Sequence, residues 1–210
     1  MFEYLSSPMR WCEPKFIYSI YIAEFWNTMT SLVFCLMGIY GYYRHRNLGV
    51  NNTPWFLLVM IGLNSFLFHL TLSFIGQFLD EFSIILLVTY CIKELYKLSD
   101  LSYYVCVFFL SLISWFFPFA SPFIFIVSGT VLTLLTYRSI KNKESRELWT
   151  YCINTGLTSV FLWVFDFLCF FNTHMLWHVV VSLTSYLMIV YIINHNNDFK
   201  ISKEYIPKLF

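Results

Sequence analysis

His174 and His178 stand four residues apart in His-Met-Leu-Trp-His. On an α-helix this spacing puts both imidazoles on one face, about 40° apart and able to share a metal ion. The Glu of a zincin motif is missing between them, and taken alone such a pair is more often two interhelical hydrogen bonders than a metal site. His69 lies in a different apolar run. At about 1.5 Å per residue, His69 and His178 both fall about 6 to 8 Å below the same face of a membrane. Three imidazoles at one depth make the ligand set of a catalytic zinc with an open fourth position. Ser65 precedes His69 by one helical turn and shares its face. Asp80 opens the next apolar run on the same side, as a general base or as the N-cap of its helix. Glu24, Glu81 and Asp166 complete the ionisable groups within or beside apolar runs, where charge is costly and is either functional or paired. Ser65 also reads as a packing residue, and Asp166 as a partner for a neighbouring helix or a support for a histidine ring. Glu81 reads as interfacial, and His45 and His195 as solvated beside loops.

The elements that must position these groups follow from composition. Hydrophobic residues make up 59% of the 210 and charged residues 12%, against about 45–50% and about 25% in soluble domains. There is too little polar surface to cover a water-soluble globule. The net charge of +1 provides no basic face for nucleic acid. Polar punctuation leaves runs at 17–43, 54–74, 79–97, 101–117, 121–138, 148–169 and 174–194, and a transmembrane helix needs about 20 mostly apolar residues. The reading is an all-α polytopic membrane protein, a seven-transmembrane helix bundle. A single domain occupies 1–196, and 197–210 is a short tail. Numbering the connections alternately, Arg44, Arg46, Lys93, Lys97, Arg138, Lys141, Lys143, Arg146, Lys200, Lys203 and Lys208 collect on one side, with Arg10 and Lys15 on the other. The positive-inside rule then puts the N-terminus in the lumen or outside and the C-terminus in the cytosol. Residues before the first run lack the pattern of a cleaved signal peptide, so that run is expected to be retained. Of the six cysteines, Cys35, Cys91, Cys106 and Cys152 lie in apolar runs where a thiol behaves as a small hydrophobe. Cys12 lies before the first run and Cys169 at the very end of the sixth.

Three stretches resemble a known family. Residues 62–81, Gly-Leu-Asn-Ser-Phe-Leu-Phe-His through Gln-Phe-Leu-Asp-Glu, resemble the Gly-x-x-Ser-x-x-Phe-His…Gln-x-Leu-Asp-Glu block of the alkaline ceramidases, within the CREST superfamily of seven-span zinc hydrolases. Trp11-Cys12-Glu13 with Ile22-Ala23-Glu24-Phe25-Trp26-Asn27-Thr28 resembles that family's first block. His174 to His178, followed by Ser185-Tyr186, resembles its last. The resemblance implies an intramembrane zinc amidase of the endoplasmic reticulum or Golgi that cleaves ceramide into a sphingoid base and a fatty acid. By motif position, His69, His174 and His178 would be the zinc ligands and Ser65 and Asp80 the catalytic partners. Zinc would acidify water and polarise the amide carbonyl. Asp80 would move the proton, and Ser65 would donate to the oxyanion. None of the motifs calls for an obligatory protein partner.

The first block departs from the family. There it reads Asp-Trp-Cys-Glu-x-Asn, and its side chains with the later Glu bind calcium near the zinc. Here Arg10 and Lys15 occupy the Asp and Asn positions, leaving Glu13 and Glu24. Calcium takes 6–8 oxygen ligands, so the two cations predict that no calcium is bound and that they pair with Glu13 and Glu24 instead. The family also has a disulfide linking the regions of Cys12 and Cys169, which implies one here. Two other readings remain open at this level. One is a hydrolase of another lipid, of the glycosylphosphatidylinositol-remodelling type. The other is a non-enzymatic receptor of the adiponectin-receptor kind with structural zinc, against which an intact Ser, Asp and three His weigh.

Overall fold

The computed structural model describes residues 3–197, so most of the tail and the cations Lys200, Lys203 and Lys208 lie outside the described residues. Seven helices follow one another: α1 (Phe25–His45), α2 (Thr53–Thr71), α3 (Phe74–Tyr96), α4 (Asp100–Phe116), α5 (Ser121–Arg138), α6 (Lys143–Phe167) and α7 (His174–Asn196), and no strand occurs among the described residues. Five stretches are long and apolar enough to cross a membrane: Thr53–Thr71, Phe74–Tyr96, Pro118–Arg138, Lys143–Phe167 and His174–Asn196; α4 is a shorter apolar helix. On α1 the outward face is apolar and the inward face largely polar or small. On α1 the buried stripe is Asn27, Thr28, Ser31, Phe34, Cys35, Gly38, Gly41 and His45, while Leu36, Ile39, Tyr40 and Tyr43 on the same helix are exposed. That inversion is how helices pack in lipid, where small residues bring backbones together. At Gly62 an added Cβ would lie 2.5 Å from Cys35 Sγ, and at Gly38 one would lie 2.8 Å from the Trp55 carbonyl oxygen, so α1 and α2 touch at a distance only glycine permits. The core joins Phe34, Trp55, Leu58, Ile61 and Leu87 to Tyr186 and Ile189–Ile193 of α7.

Three helix starts differ from the sequence expectation, one of them α6, which begins at Lys143 rather than near 148 because Asn142 and Ser145 form a capping box. The apolar run from 17 does not begin a helix, and α1 starts at Phe25 with Glu24 at its N-cap. The preceding segment is held by the open end of α2: the amides of Ala23 and Glu24 donate to the carbonyls of Leu70 and His69 at 2.9 and 3.1 Å, and those of Leu5 and Ser7 to Thr71 and Leu72 at 3.0 and 2.9 Å. A helix end leaves its last carbonyls without partners, and here the N-terminal segment supplies the donors. The third difference is at α3. Gly76-Gln77 is not a break, because α2 ends on left-handed Leu72 and the Ser73 side chain caps α3 by accepting from the Gly76 amide. Asp80 therefore rides inside α3 rather than opening it.

Two more residues sit elsewhere than expected. His45 is buried, not solvated: its Nδ1 lies 2.8 Å from the Gly41 carbonyl oxygen and its ring stacks on Trp55 at 5.1 Å. Glu81 is buried, not interfacial. It accepts from Gln77 Nε2 and Ser121 Oγ, each at 2.6 Å, and from Ser114 Oγ, which ties α3 to the facing ends of α4 and α5.

Candidate metal centre

Two helix ends meet around one buried point. His69 comes from the last turn of α2, and His174 and His178 from the first turns of α7. One ring nitrogen from each lies within 4.8 Å of the others, and the ring centroids are 5.0, 5.0 and 4.6 Å apart. All three residues are at most 1% exposed.

The opposite ring nitrogens fix the tautomers. Glu24 Oε2 lies 2.6 Å from His69 Nδ1. Thr30 Oγ1 lies 2.9 Å from His178 Nδ1 and donates its own proton to the Trp26 carbonyl at 2.8 Å, so it accepts from the ring. Both Nε2 lone pairs are thereby turned inward. His69 Nε2, His178 Nε2 and His174 Nδ1 are buried without a protein partner. Buried polar atoms are almost always satisfied. Three orphaned imidazole nitrogens facing one another are a donor set that could hold a metal ion, with each ligand oriented by an outer carboxylate, hydroxyl or stacking partner in the usual way. The partner of His174 is aromatic, its ring lying between Trp11 at 3.8 Å and Trp177 at 4.7 Å.

Ser65 lies one turn before His69 on the same helix. It receives a hydrogen bond from Ser31 Oγ at 3.1 Å and is itself hydrogen-bonded to Asp80. Asp80 Oδ1 is buried and unpartnered. A chain of Ser31, Ser65 and Asp80 thus runs beside the histidines, with a free carboxylate oxygen at its end.

The N-terminal segment closes over this arrangement. Cys12 and Cys169 are joined as a disulfide, with their Cα atoms 5.2 Å apart. Asp166 works beside it as a backbone anchor, accepting from the amides of Cys12, Thr173 and His174 at 3.1, 2.9 and 3.0 Å. That fixes the entry of α7 and with it His174. Glu13 accepts from the amides of Trp26 and Asn27 at 2.7 and 2.8 Å, placing a carboxylate at the positive end of α1. Burial pushes the Glu13 carboxyl up from its ordinary value, while those two amides oppose the shift.

Of the two cations in this block, only Lys15 pairs as expected. Its ammonium donates to Glu24 Oε1 and to the carbonyls of Trp11 and Glu13 at 2.7 and 2.6 Å. Arg10 donates instead to the Leu5 carbonyl at 2.7 Å, because Glu13 is already held by the α1 amides. Four residues of the site escaped the sequence reading: Trp11, Asn27, whose Nδ2 holds Glu24 at 3.0 Å, Thr30 and Ser31. For the last three a signal was present, a polar stripe at helical spacing in an otherwise apolar helix.

The family whose model matches the chain is Ceramidase, over residues 3–205. Alkaline ceramidase 1 of Homo sapiens is 31% identical over 214 residues, covering 88% of this chain and 81% of that protein. Alkaline ceramidase of Drosophila melanogaster is 26% identical over 218 residues, covering 88% and 76%. A family model matching along nearly the whole length, with a relative 31% identical across most of both chains, places this chain in the ceramidase family.

Proposed function

We propose that the chain is a zinc-dependent amidase that hydrolyses ceramide to a sphingoid base and a free fatty acid. The observation that carries the reading is the convergence of three unpartnered, buried imidazole nitrogens in a chain whose relatives are alkaline ceramidases. Neutral imidazoles in a set of three suit zinc and leave room for water. When bound, the zinc supplies Lewis acidity, which polarises the amide carbonyl and makes water acidic enough to attack near neutral pH.

The chain's own residues do the rest. His69, His174 and His178 hold the metal, and Glu24 and Thr30 keep two of the rings in the ligating tautomer. Asp80 accepts the proton of the attacking water on its free oxygen and returns it to the departing sphingoid amine, so that the C–N bond breaks with a neutral leaving group. Ser65 donates its hydroxyl proton to Asp80 while that group is a carboxylate. Once Asp80 is protonated, the hydroxyl is released to the tetrahedral oxyanion, where a donor contributes most. Ser31 keeps the Ser65 oxygen in place during the exchange.

The same reading places all seven helices across the membrane of the endoplasmic reticulum or Golgi, with the metal centre on the luminal side and the C-terminus in the cytosol. The exposed apolar flanks of α1 and α4 support it for the two helices that length and hydropathy alone leave out. It has Lys15 standing where relatives would hold calcium, so that calcium is not a cofactor. The test is a lipid panel presented to purified protein: ceramides, a glycosylphosphatidylinositol-type lipid and a phospholipid, each with wild type and His69→Ala. Fatty acid released from ceramide by wild type alone supports the assignment. Release only from another lipid, or no difference between the two proteins, contradicts it.

A further inference from the structure

Lys15 lies outside the helices, yet it is tied to the metal centre through a single residue. Its ammonium sits in a cage of three oxygens, the carbonyls of Trp11 and Glu13 and Oε1 of Glu24. Glu24 is wholly buried, and its other oxygen faces His69 Nδ1. The path from Lys15 through Glu24 to His69 is therefore continuous, and the first link carries a full charge. The ammonium holds Oε1 against the two backbone carbonyls and so fixes the plane of the carboxylate, with Oε2 turned to the ring. Without the cation, Glu24 would be held by the ring itself and by the Asn27 amide, and a buried carboxylate without a cation is costly.

Resting on the zinc reading above, we propose that Lys15 is a positioning residue for the metal centre: a built-in cation that fixes the Glu24 carboxylate in the orientation from which it holds His69. It touches neither metal nor substrate. Its position does not depend on the ion pair alone, because Cys12, three residues earlier, is bonded to Cys169. Loss of the ammonium would leave the segment in place and empty the cage.

The experiment measures zinc retention against a chelator, on purified full-length protein, for wild type and for Lys15→Ala, with and without propylammonium. That amine restores the three carbons and the ammonium that the substitution removes. Residues supporting metal ligands from outside the ligand shell typically contribute about 10- to 100-fold in affinity. Lys15→Ala is expected to lose zinc at a chelator activity about tenfold or more below wild type, and propylammonium, but not propanol, should restore it. Two further variants decide the matter even if the alanine protein does not fold. Lys15→Arg should hold zinc, and Lys15→Gln, which can still donate to the carbonyls but carries no charge, should not. Wild-type zinc retention in Lys15→Gln or Lys15→Ala, or equal rescue by propylammonium and propanol, overturns the proposal. Failure of the ceramidase reading looks different: zinc retention would depend on Lys15 while the wild type released no fatty acid from ceramide.

Discussion

Asp80→Asn separates the catalytic role of this residue from any part in holding the metal. Asparagine has nearly the same shape, and its side-chain oxygen can accept from Ser65 as the carboxylate does. Its amide nitrogen then takes the place of Oδ1, which has no protein partner to lose. No hydrogen bond ties Asp80 to the three histidines, whose oriented nitrogens are held by Glu24 and Thr30. Zinc content and fold should therefore match wild type. What disappears is the capacity to accept a proton. Positioned general acid–base groups contribute about 10²- to 10⁴-fold, which corresponds to about 3 to 5 kcal/mol of barrier. Fatty-acid release from ceramide under saturating substrate should fall by that factor. Ser65→Ala, removing one oxyanion donor, should cost about 10²- to 10³-fold. The double variant should lose less than the product of the two, because the side chains are hydrogen-bonded and act as a unit. An Asp80→Asn protein with full zinc and activity within tenfold of wild type would refute the assignment of Asp80 as the base, as would strictly multiplicative losses refute the coupling to Ser65.

Asp166→Ala should destabilise the protein by about 1 to 2 kcal/mol or more, as loss of a helix cap does, since it strands the amides of Cys12, Thr173 and His174; a thermal melt in detergent identical to wild type would count against its role as anchor. Gly38→Ala forces a methyl to within 2.8 Å of a backbone oxygen and should cost about 1 to 3 kcal/mol by overpacking, read from the same melt. Ceramide hydrolysis should be insensitive to EGTA and to added calcium, because the Lys15 ammonium fills the oxygen cage; loss of activity in EGTA with recovery at micromolar calcium would show that reading to be mistaken.

The parts of the site legible in the sequence were those set by helical periodicity. The spacing of His174 and His178, the turn between Ser65 and His69, and the common depth of the two helices are geometric consequences of an α-helix crossing a layer of fixed thickness. The parts that escaped depend on where chain ends find hydrogen-bond partners. Residues 17–22 are apolar enough to continue a helix, but the amides that follow, at Ala23 and Glu24, go to the carbonyls at the end of α2, a long-range competition that local hydropathy does not register. Gly76-Gln77 has the composition of a turn, and Ser73 overrides it with a cap three residues earlier. Glu81 and His45 were misplaced for the same reason: ionisable residues near run ends look solvated unless their partners, Ser114 and Ser121 in one case and Trp55 in the other, are known to arrive. Arg10 and Lys15 look equivalent as charges near two acids, yet the α1 amides had already engaged Glu13.

The central claim is that the three histidines hold a zinc ion on which ceramide cleavage depends, and metal-resolved activity tests it most directly. Purified protein is stripped with a chelator and titrated with zinc while fatty-acid release from ceramide is followed. Activity should be absent in the stripped protein and rise linearly to a break at one zinc per chain, with no recovery in the His174→Ala/His178→Ala variant. Full activity in protein shown by metal analysis to contain no zinc would contradict the account.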